Sequence, residues 1–463
     1  TMRRLWLLPL LVLSACLHPP SLQEGDVLGR INADYRQFFP AASDPDLNRD
    51  AGLLRPRFGL PAIVPADAPE FSFDVDLLQR GPSAQVTLTL LPAGLSDREA
   101  AACIDSGREP CLRLVVKSTE SSIISAGAVR LRLRVAPQRT DLRPSLGAYD
   151  LYVTSNIDPP LRAPRSVFAT RAFDTLRIAH LSDIHIGKGH RDILPKLRRV
   201  IADINARAPD LVIITGDIAN SGYRDDQMVR AQHELLVLQA PILAVPGNHD
   251  LGFDRTTLLS NRYGPGWATF ARAFHPQLLF SLSIAGWSFV GFDSGSSTIS
   301  PRVLTRGLSP ASLSALSAEL QAAQARGQRG VVLFSHAPSR ASVFSGSSAR
   351  GRGSFGRMRA GVRPFEELLV AASQRLRVIH LSGHTHWSDV YEASPTPGPI
   401  RFSRWPAQAL TPTPRNLSGR VSLITVQAAA HTTFGRRKNG TGHGFAWLEL
   451  TETPRLSFIQ YRS

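Results

Sequence analysis

Long apolar runs are missing from this chain. Beyond its first residues, no segment reaches roughly 18 uninterrupted apolar residues, so no second membrane-spanning helix is expected. Runs of basic residues are missing too. Nowhere do five stand together, which argues against a dedicated nucleic-acid-binding tail. No internal repeat is visible, so a solenoid or propeller is not expected. Cysteine is scarce, with three in 463 residues, at positions 16, 103 and 111. What is present describes a folded protein: 43% hydrophobic and 19% charged residues suit a globular chain, not a disordered one. At 463 residues it exceeds a single ordinary core, and two domains with an unstructured piece are expected. Lys+Arg exceed Asp+Glu by 53 to 37, giving +16. That excess suits nucleic acid, anionic lipid or a phosphorylated small molecule, or simply a soluble basic surface.

Residues 1–16 read as an address. Met2-Arg3-Arg4 is a short basic start, and the mostly apolar run from Leu5 to Ala15 is too short to span a bilayer. This order is that of an export signal. Leu13-Ser14-Ala15-Cys16 resembles a bacterial lipobox. The resemblance implies a lipid on Cys16 and a chain anchored at the cell envelope, facing the periplasm or the exterior. Ordinary signal cleavage beside a bystander cysteine is the alternative. An oxidising compartment would also let Cys103 and Cys111, in a stretch read as a hairpin-like excursion, form a disulfide; two free thiols are the other possibility.

Residues 17–70 are rich in Pro, Asp and Ala and read as a tether or lead-in. Over 71–165 apolar and polar residues alternate, as in Val86 to Leu90 and in Val129, Leu131, Leu133 and Val135 between arginines. Period two places one face inward, and several such strands predict a small all-β sandwich, serving as a spacer or docking module. From 172 to 463 apolar strands alternate with amphipathic helices, such as Arg191 to Ala206, which predicts an α/β domain with buried sheets. Residues 339–363, dense in Gly, Ser and Arg, read as a long mobile loop. Its Arg340, Arg350, Arg352, Arg357 and Arg359 either cover an anionic substrate or are simply solvated.

Five short clusters stand at or just after predicted strand ends: Asp183-Ile184-His185, Gly216-Asp217, Gly247-Asn248-His249-Asp250, Ser335-His336 and Gly383-His384-Thr385-His386. Taken singly, His336 reads as a hydrogen-bonded core histidine, Asp217 as a helix cap and Asn248 as a turn residue. Taken together they collect where α/β folds bind ligands. In extended backbone, Asp183 and His185 face the same way, as do His384 and His386. No cysteine belongs to the set, which excludes a thiolate zinc site. Imidazole, carboxylate and amide oxygen suit Mn, Fe, Zn or Ni. Seven candidates, Asp183, His185, Asp217, Asn248, His336, His384 and His386, are too many for one ion and fit two sharing a carboxylate.

In order and spacing these clusters resemble the calcineurin-like metallophosphoesterases. The resemblance implies a four-layer α/β sandwich of two mixed sheets flanked by helices, with one ion on Asp183, His185, Asp217 and His386 and the other on Asp217, Asn248, His336 and His384. It further implies phosphodiester or phosphomonoester hydrolysis by a metal-bridging hydroxide, with His249 as proton donor and Asp250 orienting it. Purple acid phosphatases are similar in their export and leading β-sandwich. They carry a tyrosine ligand after Gly-Asp, whereas here Ile218-Ala219-Asn220 follow and Tyr223 is out of register. The Gly-Asn-His-Asp and Gly-His-Thr-His forms look closer to class III cyclic nucleotide phosphodiesterases, a comparison in which Asn220 lines the site. His180 and His380 read as buried structural histidines; His190, His233, His275, His431 and His443 show no partner pattern. The competing expectation is a non-catalytic envelope lipoprotein with a binding role.

Overall fold

The computed structural model describes residues 52–66, 68, 70–79, 85–106, 110–125, 128–138, 144–156, 160–187, 193–251, 266–294, 307–308, 310–341, 357–358, 360–394, 400–430 and 443–461. The stretch read as an export signal, with Cys16, lies outside these residues, as do His190, Arg350, Arg352, Arg359 and His431.

The first eight strands are β1 (Leu53–Arg55), β2 (Ala62–Pro65), β3 (Phe73–Gln79), β4 (Val86–Pro92), β5 (Leu112–Ser125), β6 (Ala128–Pro137), β7 (Gly147–Ser155) and β8 (Leu161–Thr170). Alternation sets their faces. Val75 and Leu77 pair with Leu133 and Leu131 inside the core, while on the opposite face Asp74 and the buried Asp76 pair with Arg134 and Arg132. A two-sheet sandwich over 71–165 was the expectation. Hydrogen bonding instead runs unbroken through one eight-stranded sheet, in the order β1-β3-β6-β5-β4-β7-β8-β2. The sheet curls until β1 approaches β8 and β2 approaches β3, enclosing a single apolar cluster. Its outer strands β1 and β2 come from the stretch read as a lead-in. Cys103 lies on helix α1 (Asp97–Ser106), not on a hairpin, and is bridged to Cys111 with their Cα atoms 5.9 Å apart.

The remaining strands are β9 (Leu176–Leu181), β10 (Leu211–Ile214), β11 (Ile242–Ala244), β12 (Leu279–Ile284), β13 (Trp287–Phe292), β14 (Gly330–Phe334), β15 (Arg377–Ser382), β16 (Asp389–Ala393), β17 (Ser403–Arg404), β18 (Arg415–Asn416), β19 (Val421–Thr425), β20 (His443–Leu450) and β21 (Arg455–Tyr461). The helices are α2 (Ile193–Arg207), α3 (Asp225–Leu235), α4 (Asn248–Leu251), α5 (Gly266–Ala273), α6 (Pro310–Ala325) and α7 (Val362–Ala372). One mixed sheet runs β11-β10-β9-β20-β21-β18 and the other β12-β13-β14-β15-β19-β16-β17. Strand residues alternate between two cores. Ile178, Leu211 and Ile213 meet Phe334, Ile379 and Leu381 between the sheets. Ala179, Val212 and Ile214 pack outward on α2, α3 and α5. Val331, Leu333 and Val378 pack on α6 and α7. Burial on both faces explains the continuous apolar runs. The result is the expected four-layer arrangement. Because β9, β10 and β11 are parallel, as are β13, β14, β15 and β19, the carboxyl ends within each set lie together.

Candidate metal centre

Three of the five clusters leave their strands through unusual backbone. Asp183, His185, Asp217, His384 and His386 have φ values of 54°, 56°, 52°, 69° and 59°. The extended geometry expected for the two paired motifs is thus replaced by left-handed turns, a conformation costly for residues other than glycine. Strain of this kind persists where surrounding structure enforces it and gathers at functional sites. The glycines are fixed by approach distance. A Cβ on Gly247 would stand 2.3 Å from Asp217 Oδ1, and one on Gly383 would stand 1.7 Å from Ser182 Oγ and 2.6 Å from Asp183 Oδ2.

The seven candidate ligands converge into two groups. In the first, Asp183 Oδ1 is 3.2 Å from His386 Nε2, which is 3.1 Å from His185 Nε2. In the second, His336 Nε2 is 3.0 Å from Asn248 Oδ1, 3.0 Å from His384 Nδ1 and 3.3 Å from Asp217 Oδ2. Asp217 Oδ2 also lies 3.7 Å from His185 Nε2, so one carboxylate oxygen serves both groups. Its other oxygen accepts the His249 N–H at 2.8 Å, and Asp183 Oδ2 accepts the His384 N–H at 2.8 Å. Each carboxylate therefore has one oxygen fixed by backbone and one facing the site.

The donor set fits cations. His336 Nδ1–H donates to the Thr215 carbonyl at 2.7 Å, which leaves Nε2 with a lone pair pointing at three other lone-pair atoms. Only a proton or a cation reconciles that crowding. Burial disfavours the charged imidazole, yet Asp217 and Asp183 outweigh it and raise His336 to about 9. Burial likewise opposes ionisation of Asp183 and Asp217, but the surrounding histidines hold both carboxyls well below the usual range. His185 is pushed well below its ordinary value by burial, leaving a neutral donor nitrogen. Asp183 Oδ1 is buried without a hydrogen bond of its own.

His249 stands edge-on to His185 with ring centroids 4.7 Å apart. A ring nitrogen of His249 lies within 4.8 Å of the facing atoms of His185 and Asp217. Its Nδ1 bonds the carbonyl of Asn220 at 2.7 Å, so Asn220 contributes its backbone to the site. The expected contact from Asp250 to His249 is replaced by another. The buried Asp250 carboxylate accepts the N–H groups of Gly247 at 2.8 Å, Ala219 at 2.8 Å and Ile218 at 3.1 Å, tying two ligand loops together. Burial, then the charge of Asp217, pushes its pKa up to about 7. Arg340 is engaged elsewhere. It pairs with Glu366 at 2.7 Å and lies over the Phe402 ring, not free to cover an anion. Tyr223 is exposed. Thr215 and Asn220 act through carbonyl oxygens, and no side-chain pattern announces that.

A family model described as calcineurin-like phosphoesterase matches residues 176–388. The chain is 35% identical over 81 residues to the glycerophosphodiester phosphodiesterase GpdQ of Enterobacter lignolyticus (strain SCF1), covering 16% of this chain and 29% of that protein. That match spans less than a third of the relative's length. Among solved structures, the purple acid phosphatase PPD1 of yellow lupin (Lupinus luteus) is similar at 10% identity with a TM-score of 0.46, covering 85% of this chain and 72% of that one. The structure of PhoD is similar at 12% identity with a TM-score of 0.45, covering 89% and 86% respectively. Residues 176–388, the stretch that matches the calcineurin-like phosphoesterase model, contain all five clusters.

Proposed function

We propose that this chain is a dinuclear-metal hydrolase of phosphate esters. The observation that carries the proposal is Asp217 Oδ2, placed 3.3 Å from His336 Nε2 and 3.7 Å from His185 Nε2 so that two ligand groups share it. Asp183, His185 and His386 would complete one cation site and Asn248, His336 and His384 the other. When bound, such a pair of cations polarises the phosphoryl group and acidifies water to near neutrality. The chain's own residues supply the rest. The Thr215 carbonyl fixes the His336 tautomer. The Asn220 carbonyl holds His249 by Nδ1, which leaves Nε2 to pass a proton to the departing ester oxygen. The stretch shared with a protein named as a glycerophosphodiester phosphodiesterase favours a diester, with monoesters the second choice.

The proposal puts the chain at the cell envelope, held by a lipid on Cys16. It is supported by the basic start, the short apolar run and Leu13-Ser14-Ala15-Cys16, and by the Cys103–Cys111 bridge, a bond that persists in oxidising compartments. Loss of fatty-acid labelling and of membrane association in Cys16→Ala is the expected result. Unchanged labelling would remove the anchor.

Turnover is tested with bis-p-nitrophenyl phosphate, p-nitrophenyl phosphate and a panel of natural esters, with added manganese. His249→Ala should keep its metal and lose about 10²–10⁴ in rate, the usual worth of a general acid. A mutant as fast as wild type would end the proton-donor role. Two bound ions with no turnover across the panel would favour a binding protein instead.

A further inference from the structure

Strand β11 is the outermost strand of its sheet, bonded to β10 along one side only. An open edge leaves unpaired N–H and C=O groups. Here the edge is covered from outside the four layers. The Ala244 N–H donates to the Gly59 carbonyl at 2.8 Å. The Ala244 carbonyl accepts from His275 Nε2 at 2.8 Å, a tautomer set by the Gln277 N–H donating to Nδ1 at 3.2 Å.

Gly59 belongs to the turn between β1 and β2, and so to the N-terminal β-domain. The turn is closed by reciprocal bonds between Arg57 and Leu60, at 3.0 and 2.9 Å. It drives two apolar side chains into two different layers of the second domain. Phe58 enters the helix-side core with its ring 5.4 Å from that of Phe274. Leu60 enters the core between the sheets. The Arg57 guanidinium donates to the carbonyl of Arg272, in the last turn of α5. Gly59 has φ +81°, and a Cβ there would stand 3.0 Å from the Phe274 ring and 3.3 Å from Ala244 Cβ. The wedge therefore requires glycine both for its turn and for its approach. Only Val245 and Pro246 separate Ala244 from Gly247-Asn248-His249-Asp250.

We infer that the Arg57–Leu60 turn of the N-terminal domain is a positioning element of the catalytic centre: it clamps the open edge of β11 and thereby fixes the loop that presents Asn248 and His249. The β-domain is then a working part of the enzyme and not a spacer. The effect on turnover rests on the hydrolase reading above; the effects on amide exchange and metal retention do not.

The test uses Gly59→Ala and Phe58→Leu in the full chain. Hydrogen–deuterium exchange, metal content after dialysis and steady-state kinetics are the readouts. The Ala244 amide and the segment 245–251 should exchange at least about tenfold faster, while β14 and β15 exchange as in wild type. The ion held through Asn248 should be retained less well than its neighbour, and kcat should fall with KM nearly unchanged. Phe58→Ala is the harsher variant, and where it fails to fold Phe58→Leu carries the comparison. Wild-type exchange at 244–251 would overturn the inference. So would uniform acceleration across both sheets, the mark of a merely structural residue. If wild type hydrolyses no ester yet the local exchange difference appears, the hydrolase reading falls and the wedge stands.

Discussion

His336 shows how single atoms determine the site. One ring nitrogen is committed to the Thr215 carbonyl, and the other must face Asn248 Oδ1, His384 Nδ1 and Asp217 Oδ2. Removing one of these atoms has a graded effect. Asn248→Ala deletes a ligand of one group only, so elemental analysis should find about one ion lost per chain. Asp217→Ala deletes the shared oxygen and should lose both. Two ions retained in Asp217→Ala would contradict the sharing. The side chains involved were legible in the sequence because Asp, Asn and His at consecutive strand ends have few other uses. The carbonyls of Thr215 and Asn220 were not, since every residue carries one. Asp250 misleads for a related reason: an acid beside a histidine suggests a dyad, but backbone N–H groups took its oxygens first.

At the scale of elements, Asp250 is a staple between the turn after β10 and the turn after β11. Asp250→Ala strands three buried N–H donors, each costing about 1–3 kcal/mol, so unfolding by urea should show a loss of at least about 2 kcal/mol. An unchanged midpoint would mean that water or a shifted backbone replaces it. Asp250→Asn keeps one acceptor oxygen and should fall between the two. The strands read most accurately were the fully buried ones: Leu211–Ile214 and Trp287–Phe292 stand where the sequence puts them. β8 escaped because it has no period. Pro164 and a left-handed Arg165 at φ 46° break its alternation, and Arg165 turns its guanidinium to the Leu238 carbonyl of the second domain at 2.6 Å. α1 escaped although its signal was present. Ser96 and Glu99 form a capping box, with the Ser96 N–H donating to Glu99 Oε2 at 2.8 Å. β1 and β2 are too short to show a pattern, and they exist because the curled sheet and the β11 edge give them partners.

For the molecule as a whole, three histidines bind the layers through neutral rings. His180 in β9 bonds Thr215 Oγ1, His380 in β15 bonds Ser335 Oγ between the Phe292 and Phe365 rings, and His275 closes the β11 edge. Burial lowers their pKa values to about 3, about 3 and about 4. In the unfolded chain each would titrate near 6.5. Below that pH the unfolded state takes up protons that the native state refuses. The stability these rings contribute is thus complete above about pH 6.5 and falls as pH drops toward 4, by about 1.4 kcal/mol per unit for each ring fully in its window. The carboxylates of Asp183 and Asp217 act in the same direction but at lower pH, because their unfolded values lie near 4. Urea midpoints measured with chelator between pH 7.5 and 4.5 separate the two contributions from metal release. Asp250, raised to about 7, takes up its proton in the native protein over the same range and offsets one ring. A decline worth about two rings that begins near pH 6 is therefore expected, and replacing His275 with Gln, whose amide can still donate to the Ala244 carbonyl, should make it shallower by about half. A midpoint that stays flat to pH 5 would mean that these rings are protonated or solvated in the native protein, and with them the β11 edge on which the placement of Asn248 and His249 depends.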